Sequence, residues 1–412
     1  MDNKIKKIAA REILDSRGNP TLSVTVFAGT ASGTFSVPSG ASTGSHEAIE
    51  RRDHDANRFR GLGVLSCVTT AEIDIDKALH GVDILDQKKI DGILLGLDKS
   101  DQKSNLGGNT ITGVSIACAK AAAVATGKEV FEYLRTIIES GTSRETPLLF
   151  MNLMNGGKHA KTPLAFQEYH VVPQTDDIEE ALVIGTSIQA ELRERIARDL
   201  GPASANLGDE GGFVPDTADV RKPLEILADV IEKSRFGGKV RISLDVAASS
   251  FYKEGAYAFD GGTMALAQLM DFYKVLIKDF SIFAIEDPFY EEDFSGFAGL
   301  RGVTDAVVVG DDLTVTNVAR LEEAIKNKSI GAMIVKPNQV GTLTETVAAM
   351  KLAQKNGIRC IVSHRSGETN DDFIADLAWA FGSWGLKAGA PQRGERVAKY
   401  NRLWQIQKGA GR

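Results

Sequence analysis

The stretch VRISLD, residues 240–245, is an apolar run that stops on an acid, and the same device recurs five more times downstream. SIFAIE closes at Glu286, AVVVGD at Asp311, AMIVK at Lys336, RCIVSH at His364 and GSWGLK at Lys387. The steps between these residues are 41, 25, 25, 28 and 23, each enough for one strand, one helix and two loops. A βα unit at that period reads as a parallel barrel, whose chemistry sits at the carboxyl ends of the strands. Three carboxylates, two lysines and a histidine should therefore meet at one mouth. One charged residue after a strand is ordinary, because strands end where solvent begins. Six in register, with the acids grouped before the lysines, point to a site. Three carboxylates suit a hard divalent cation, and a lysine beside a cation suits the role of a base.

Upstream of this repeat the rhythm changes. PLLFMNLMN (147–155) and AFQEYHVVP (165–173) are strand candidates with only nine residues between them. That gap is too short for a helical crossover, so the pair is expected to be antiparallel. Residues 176–200 form an amphipathic pattern, with acids first and arginines last, as the helix dipole favours. In residues 1–137 the strand-like runs IKKIAAREI, TLSVTVFAG and TASGTFSVP come first, with the turn signal DSRGNP between two of them. The Gly- and Ser-rich loop VPSGASTGSHEA follows, and then helical patterns over 83–97 and 112–140, the second stopping at Gly141. The expected architecture is α/β: an N-terminal α+β domain (1–137), then a TIM-like barrel (138–412) whose second strand runs antiparallel.

Composition narrows the function. The chain has 412 residues, 43% hydrophobic and 25% charged, with a net charge of -7. That balance argues against nucleic acid as the main partner. It leaves room for an anionic small substrate, because a bound metal supplies local positive charge that the formal count omits. Cys67, Cys118 and Cys360 are few, odd in number and far apart, and read as buried free thiols in a reducing compartment. No apolar stretch approaches the ~20 residues of a membrane span. The opening MDNKIKKIAARE lacks the apolar core of a secretory signal, so a cytoplasmic protein is expected. No GxxxxGK[ST] phosphate loop is present.

The strings DSRGNPT, VPSGASTG, NGGKHA, QEY, GDEGGF, EDPF, GDDLTVTN, VSHRSGET and KAGAP together resemble the enolase family, and the resemblance runs from about residue 8 to about residue 404. The resemblance implies an enolase-type barrel and reversible dehydration of 2-phosphoglycerate to phosphoenolpyruvate, with two Mg2+ ions per active site, one tight and one substrate-dependent. A lysine base with magnesium is general to the superfamily. By resemblance Asp245, Glu286 and Asp311 hold the first ion, and Ser42 completes the second on a loop that Gly40 and Gly44 let close. Lys336 is implied as the base at C2. An ordinary lysine, with a pKa of about 10.4, would be protonated. Magnesium and the ammonium of Lys387 should favour its neutral form. Glu210, in GDEGG, is similar to the acid that expels the C3 hydroxyl, assisted by Glu168 in FQEY. Two carboxylates sharing a site keep one protonated. The resemblance also places His159 and His364 among the catalytic groups. His159, Glu168, Arg365, Ser366, Lys387 and Asp311 become the substrate contacts, with Arg365 and Ser366 matched to phosphate oxygens. The partner implied is a phosphorylated hydroxy acid, and the assembly a homodimer or octamer.

Several positions depart from the family pattern. Pro337 follows the base in KPNQ where an aliphatic residue is usual, LGGNTITGVS stands for LGANAILGVS, and KAGAP carries an alanine where threonine or serine is usual. None removes a candidate catalytic group. They raise the alternative of a paralogue acting on a phosphonate or other analogue in a secondary pathway. An acid-sugar dehydratase or racemase is opposed by the His-Arg-Ser set and the GASTG loop, and a non-catalytic scaffold by the intact base and metal ligands.

Overall fold

The structure, a computed structural model, describes residues 3–40, 44–138, 145–259 and 261–410. Strands β1 (Ile5–Leu14), β2 (Pro20–Ala28) and β3 (Ala31–Ser36) form an antiparallel meander, tightened by Gly18 at φ 73° in the DSRGNP turn. The helix Gly108–Ala125 lies across β2 and β3. Its alanines permit a close approach: a Cβ on Gly33 of β3 would come 2.1 Å from the Ala121 nitrogen. Gly108, one of the departures noted above, answers to the same constraint, since a Cβ there would meet the Ala48 side chain at 2.7 Å.

The barrel uses β4 (Leu148–Asn155), β5 (Glu168–Pro173) and β6 (Val240–Asp245). After β6 a small hairpin sheet intervenes, β7 (Tyr252–Lys253), β8 (Ala256–Phe259) and β9 (Gly262–Met264). The barrel resumes with β10 (Ile282–Glu286), β11 (Val307–Gly310), β12 (Ala332–Val335), β13 (Arg359–Ser363) and β14 (Gly385–Lys387). It closes in the order β10-β11-β12-β13-β14-β4-β5-β6, with β5 antiparallel to both neighbours and every other pair parallel. The six apolar runs are the strands expected, and the second barrel strand is reversed as expected. Asp177 caps the helix Ile178–Leu200 by accepting from the Glu179 nitrogen. Thr342 and Glu345 form a capping box on Leu343–Lys355.

Two elements differ from the sequence reading. The single helix expected over 112–140 is two, Gly108–Ala125 and Val130–Ile138, bent by 107°. Thr126 ends the first and Gly127, at φ 64°, turns the chain out of it. The stop assigned to Gly141 lies outside the described residues. The helical stretch from Leu65 to Leu79 was not foreseen at all. Among the described residues no single helix is long and apolar enough to cross a membrane. Cys67, Cys118 and Cys360 are buried and free.

Many contacts bolt the small domain to the barrel, among them Lys103–Glu345, Lys120–Asp371 and the two that follow. Ser39 and Gly367 exchange backbone hydrogen bonds of 2.7 and 2.9 Å, bringing the loop after β3 to the mouth. Buried Asp91 accepts from the Thr344 nitrogen at 2.9 Å and Ser115 Oγ accepts from the Leu343 nitrogen at 3.0 Å, so one domain satisfies the first turn of a helix in the other.

Candidate active site

Each strand end delivers the residue on which its apolar run closed. Asp245 and Glu286 end neighbouring strands in register, and Asp311 follows β11. Lys336, His364 and Lys387 take the corresponding places on β12, β13 and β14. The reversed β5 enters at the mouth, so Glu168 is its first residue there, opposite Asp245. Loops add His159 and Glu210, and one cleft is lined by all of these but Glu286, together with Gln167, Arg365 and Ser366. Ser42 lies outside the described residues.

Lys387 is the hub. Its Nζ stands 2.7 Å from Glu286 Oε1, 3.1 Å from Asp245 Oδ2 and 3.2 Å from Glu168 Oε1, with only 2% of the residue exposed. Burial pulls this ammonium down, but the three carboxylates outweigh it and hold Lys387 well above the ordinary lysine value. Asp245 answers in the opposite sense: burial raises it, Lys387 more than compensates, and it falls to about 2. Glu286 stays well above the carboxylate range, driven by burial and then by the Asp245 charge.

Lys336 contacts Asp311 Oδ2 directly, and Gln339 donates to Asp311 Oδ1 at 2.9 Å. Lys336 is pulled both ways by its neighbours. Burial, Arg365 and Lys387 do act downward, but the touching Asp311 carboxylate prevails and raises it. Pro337 has a clear place here. It opens the short helix Pro337–Val340 at its first turn, and the residue before a proline is held extended, as Lys336 is at φ -129° and ψ 106°.

On the far side sit the two glutamates. His159 Nδ1 is 3.5 Å from Glu168 Oε1 and 3.5 Å from Glu210 Oε1. Asn152 donates to Glu210 Oε2 at 3.1 Å, and His364 Nε2 stands 3.3 Å from the same oxygen. The pair does split as the sequence argument requires, but the proton falls on the less expected member. Burial and the Glu210 charge hold Glu168 well above the carboxylate range. Glu210 is held well below it, because the nearby His159, His364 and Arg396 overcome its burial. His364 is pushed to about 3, by burial first. Arg396 donates to His364 Nδ1, which leaves the ring proton on the nitrogen facing Glu210.

Arg365 reaches the mouth already engaged: it donates to Glu47 Oε2 and to Asn338 Oδ1, each at 2.9 Å. Glu47, Asn338, Gln339, Gln167, Arg396 and His170 all belong to the site's framework and were not singled out from sequence. All but Arg396 lay inside quoted strings: Gln167 and His170 in AFQEYHVVP, Asn338 and Gln339 in KPNQ, Glu47 in VPSGASTGSHEA. Nothing local marked Arg396, which comes from the last helix, Gly394–Ala410.

The donor chemistry suits a hard divalent cation. Asp245, Glu286 and Asp311 offer oxygens only, on three adjacent strands. Lys387 is interposed between two of the three and Lys336 contacts the third. Among the described residues, the donor groups that converge within 4.8 Å of one another are His159–Glu168–Glu210 and Asp287–Asp311–Asp312, and Asp245, Glu286 and Asp311 do not form such a group. Asp287 accepts from the Asp311 and Asp312 nitrogens at 2.9 and 2.7 Å, and so fixes the turn that aims Asp311.

A small domain fastened over the mouth of a barrel, with acids and lysines paired at its strand ends, is the architecture of a barrel enzyme whose acids could hold a divalent cation. Residues 143–412 match the family described as the enolase C-terminal TIM barrel domain, and residues 5–134 match the enolase N-terminal domain. The chain is 45% identical to the enolase of Methanosarcina barkeri over 412 residues, covering 99% of this chain and 95% of that protein. It is 45% identical to the enolase of Methanocaldococcus jannaschii, covering 99% and 96% respectively. The enolase of Corynebacterium kroppenstedtii is 43% identical, again covering 99% and 96%. The chain belongs to the enolase family.

Proposed function

We propose that this chain catalyses the reversible dehydration of 2-phosphoglycerate to phosphoenolpyruvate, the phosphopyruvate hydratase step of glycolysis. One observation carries the reading: a lysine and a two-carboxylate cluster face each other across one cleft. Lys336 follows β12 and Glu168 opens β5, four strands apart in a ring of eight. The reaction needs that opposition, with a base at C2 on one face and an acid at the C3 hydroxyl on the other.

With Asp311 drawn away toward a cation, burial and the charges of Arg365 and Lys387 would favour release of the Lys336 proton to solvent, and the neutral amine would then take the C2 proton. Lys387 receives the substrate carboxylate and keeps its charge next to the reacting centre. Glu210 and Glu168 share one proton as a pair. His159 stands 3.5 Å from each, so a proton resting on Glu168 has a route to Glu210 and the departing hydroxyl. His364 holds Glu210 in place, and Arg365 and Ser366 receive the phosphate. Asp245, Glu286 and Asp311 would hold the tighter Mg2+, with Ser42 completing the second. Bound there, magnesium would offset the charge that gathers on the substrate carboxylate as C2 loses its proton.

We read the domain boundary at 137/138, the protein as cytoplasmic and the assembly as a homodimer or octamer, which light scattering on the purified protein decides. No observation favours the phosphonate alternative, and comparing specificity constants for the two substrates separates them. The primary test is the ultraviolet absorbance of the enol phosphate formed from 2-phosphoglycerate with magnesium. An absorbance rise is expected, and its absence beside an active control enzyme overturns the reading.

A further inference from the structure

Glu168 and His170 lie two apart on β5 and point the same way, so both side chains belong to the barrel interior. Because β5 runs opposite to the other strands, Glu168 stands at the mouth and His170 one layer deeper. The imidazole is fully buried and its Nε2 lies 2.8 Å from Glu168 Oε2. Its other nitrogen, Nδ1, has no hydrogen-bond partner among the described residues. Phe150 stands edge-on to the ring, with centroids 6.3 Å apart at 80°, and β4 and β6 flank it through Asn152 and Ser243.

A buried neutral imidazole carries one proton, and that proton goes where an acceptor exists. Nε2 has the Glu168 carboxylate and Nδ1 has nothing, so the ring donates from Nε2. Burial and the Lys387 charge hold the imidazolium form down to about 3, so the group does not itself supply protons near neutrality. It can only hold. What it holds is the oxygen of Glu168 that faces away from the reaction. With Oε2 tied down, Oε1 alone meets His159 at 3.5 Å and Lys387 at 3.2 Å. A carboxylate whose last torsion is otherwise broad is thereby confined to one orientation.

We propose that His170 is a positioning residue for the dehydration step, pinning Glu168 through Nε2 so that Oε1 is presented to His159 and Glu210. The inference rests on the function proposed above and adds a residue that its chemistry never touches. Nothing in the reaction requires a histidine at this depth; a packing role would be met by any side chain of similar bulk.

The test compares His170→Leu, which keeps bulk without a donor, with His170→Gln, which retains a side-chain N–H. Losing a hydrogen bond between neutral groups corresponds to about a 2- to 10-fold effect. His170→Leu should lower kcat for dehydration by that factor while KM and the exchange of the C2 proton with solvent stay near wild type. His170→Gln should recover most of the loss. An equal fall in exchange and dehydration, or a glutamine variant no better than leucine, overturns the inference. A second measurement uses the wild-type protein: imidazole nitrogen NMR should show His170 protonated at Nε2 alone, and Glu168→Ala should abolish that preference. A Nδ1–H tautomer, or one indifferent to Glu168, overturns the inference as well. Wild-type protein inert toward 2-phosphoglycerate would sink the proposed function instead, and the tautomer would still be read independently.

Discussion

Replacing Lys387 by methionine keeps the length of the stem and deletes the charge on which three carboxylates converge. Glu286, Asp245 and Glu168 would lose a shared ammonium now 2.7, 3.1 and 3.2 Å away. Removing one partner of a buried ion pair costs about 3–5 kcal/mol, because the remaining charge has no compensation. Glu286 and Glu168 are already held above the carboxylate range and take up protons readily, which places the loss toward the lower end and shrinks it as pH falls. Unfolding entropy of about 2.1 cal/mol/K per residue gives, for a chain of 412 residues, about 0.9 kcal/mol per degree. In excess chelator the melting temperature should therefore fall by about 3–6 °C. Magnesium should then act in the opposite sense. Without the ammonium the carboxylates bind a divalent cation more tightly, and a ligand that binds only the folded state stabilises it in proportion to the logarithm of its affinity. The gain in melting temperature on adding magnesium should exceed that of the wild type. Calorimetry on both proteins, with chelator and with magnesium, checks both halves. A variant as stable as wild type in chelator, or one gaining less from magnesium, would refute the argument that Lys387 and a cation serve the same carboxylates.

Lys336→Ala should abolish exchange of the C2 proton with solvent, whereas Glu210→Gln should block dehydration more than exchange; isotope exchange beside turnover measures both, and equal losses in the two variants contradict the role assignment. Excess chelator should silence turnover of 2-phosphoglycerate and added magnesium restore it, and full activity in chelator would be fatal to the metal argument. The Asp312 carboxyl is pushed up to about 8, by burial first and then by the Asp311 and Glu47 charges. A carboxyl raised above its unfolded value of about 3.9 binds its proton more tightly when folded, so it contributes stability below that value which is lost as pH rises through about 8. Thermal melts in chelator should show wild type declining between about pH 5 and about pH 9, and Asp312→Asn declining less; parallel curves would remove Asp312 from the account.

The barrel was legible because its strands carry their functional residue at the same structural position, one turn of the βα unit after another. The reversed second strand was legible for a different reason: the nine residues of GGKHAKTPL cannot make a crossover. What stayed hidden was whatever depends on contacts distant in sequence. The helix break at Gly127 is masked by an apolar, alanine-rich run that continues the helical pattern on both sides, although Gly127 at φ 64° supplies a local stop. Glu47, 318 residues from Arg365, lies against its guanidinium at 2.9 Å, a contact that no local pattern announces. The cations near Lys336 are visible in the sequence motifs, while the touch of Asp311 is not. These hidden contacts share a cause. A sequence lists the charges of a site, but the sign and size of each shift depend on which opposite charge stands nearest. Here nearly every cation is spoken for: Lys387 by three carboxylates, Lys336 by Asp311, Arg365 by Glu47. A site so internally matched keeps its charges buried at tolerable cost before any substrate arrives. Binding a carboxylate, a phosphate and cations then exchanges partners among groups already in place, and little new charge has to be carried in from water.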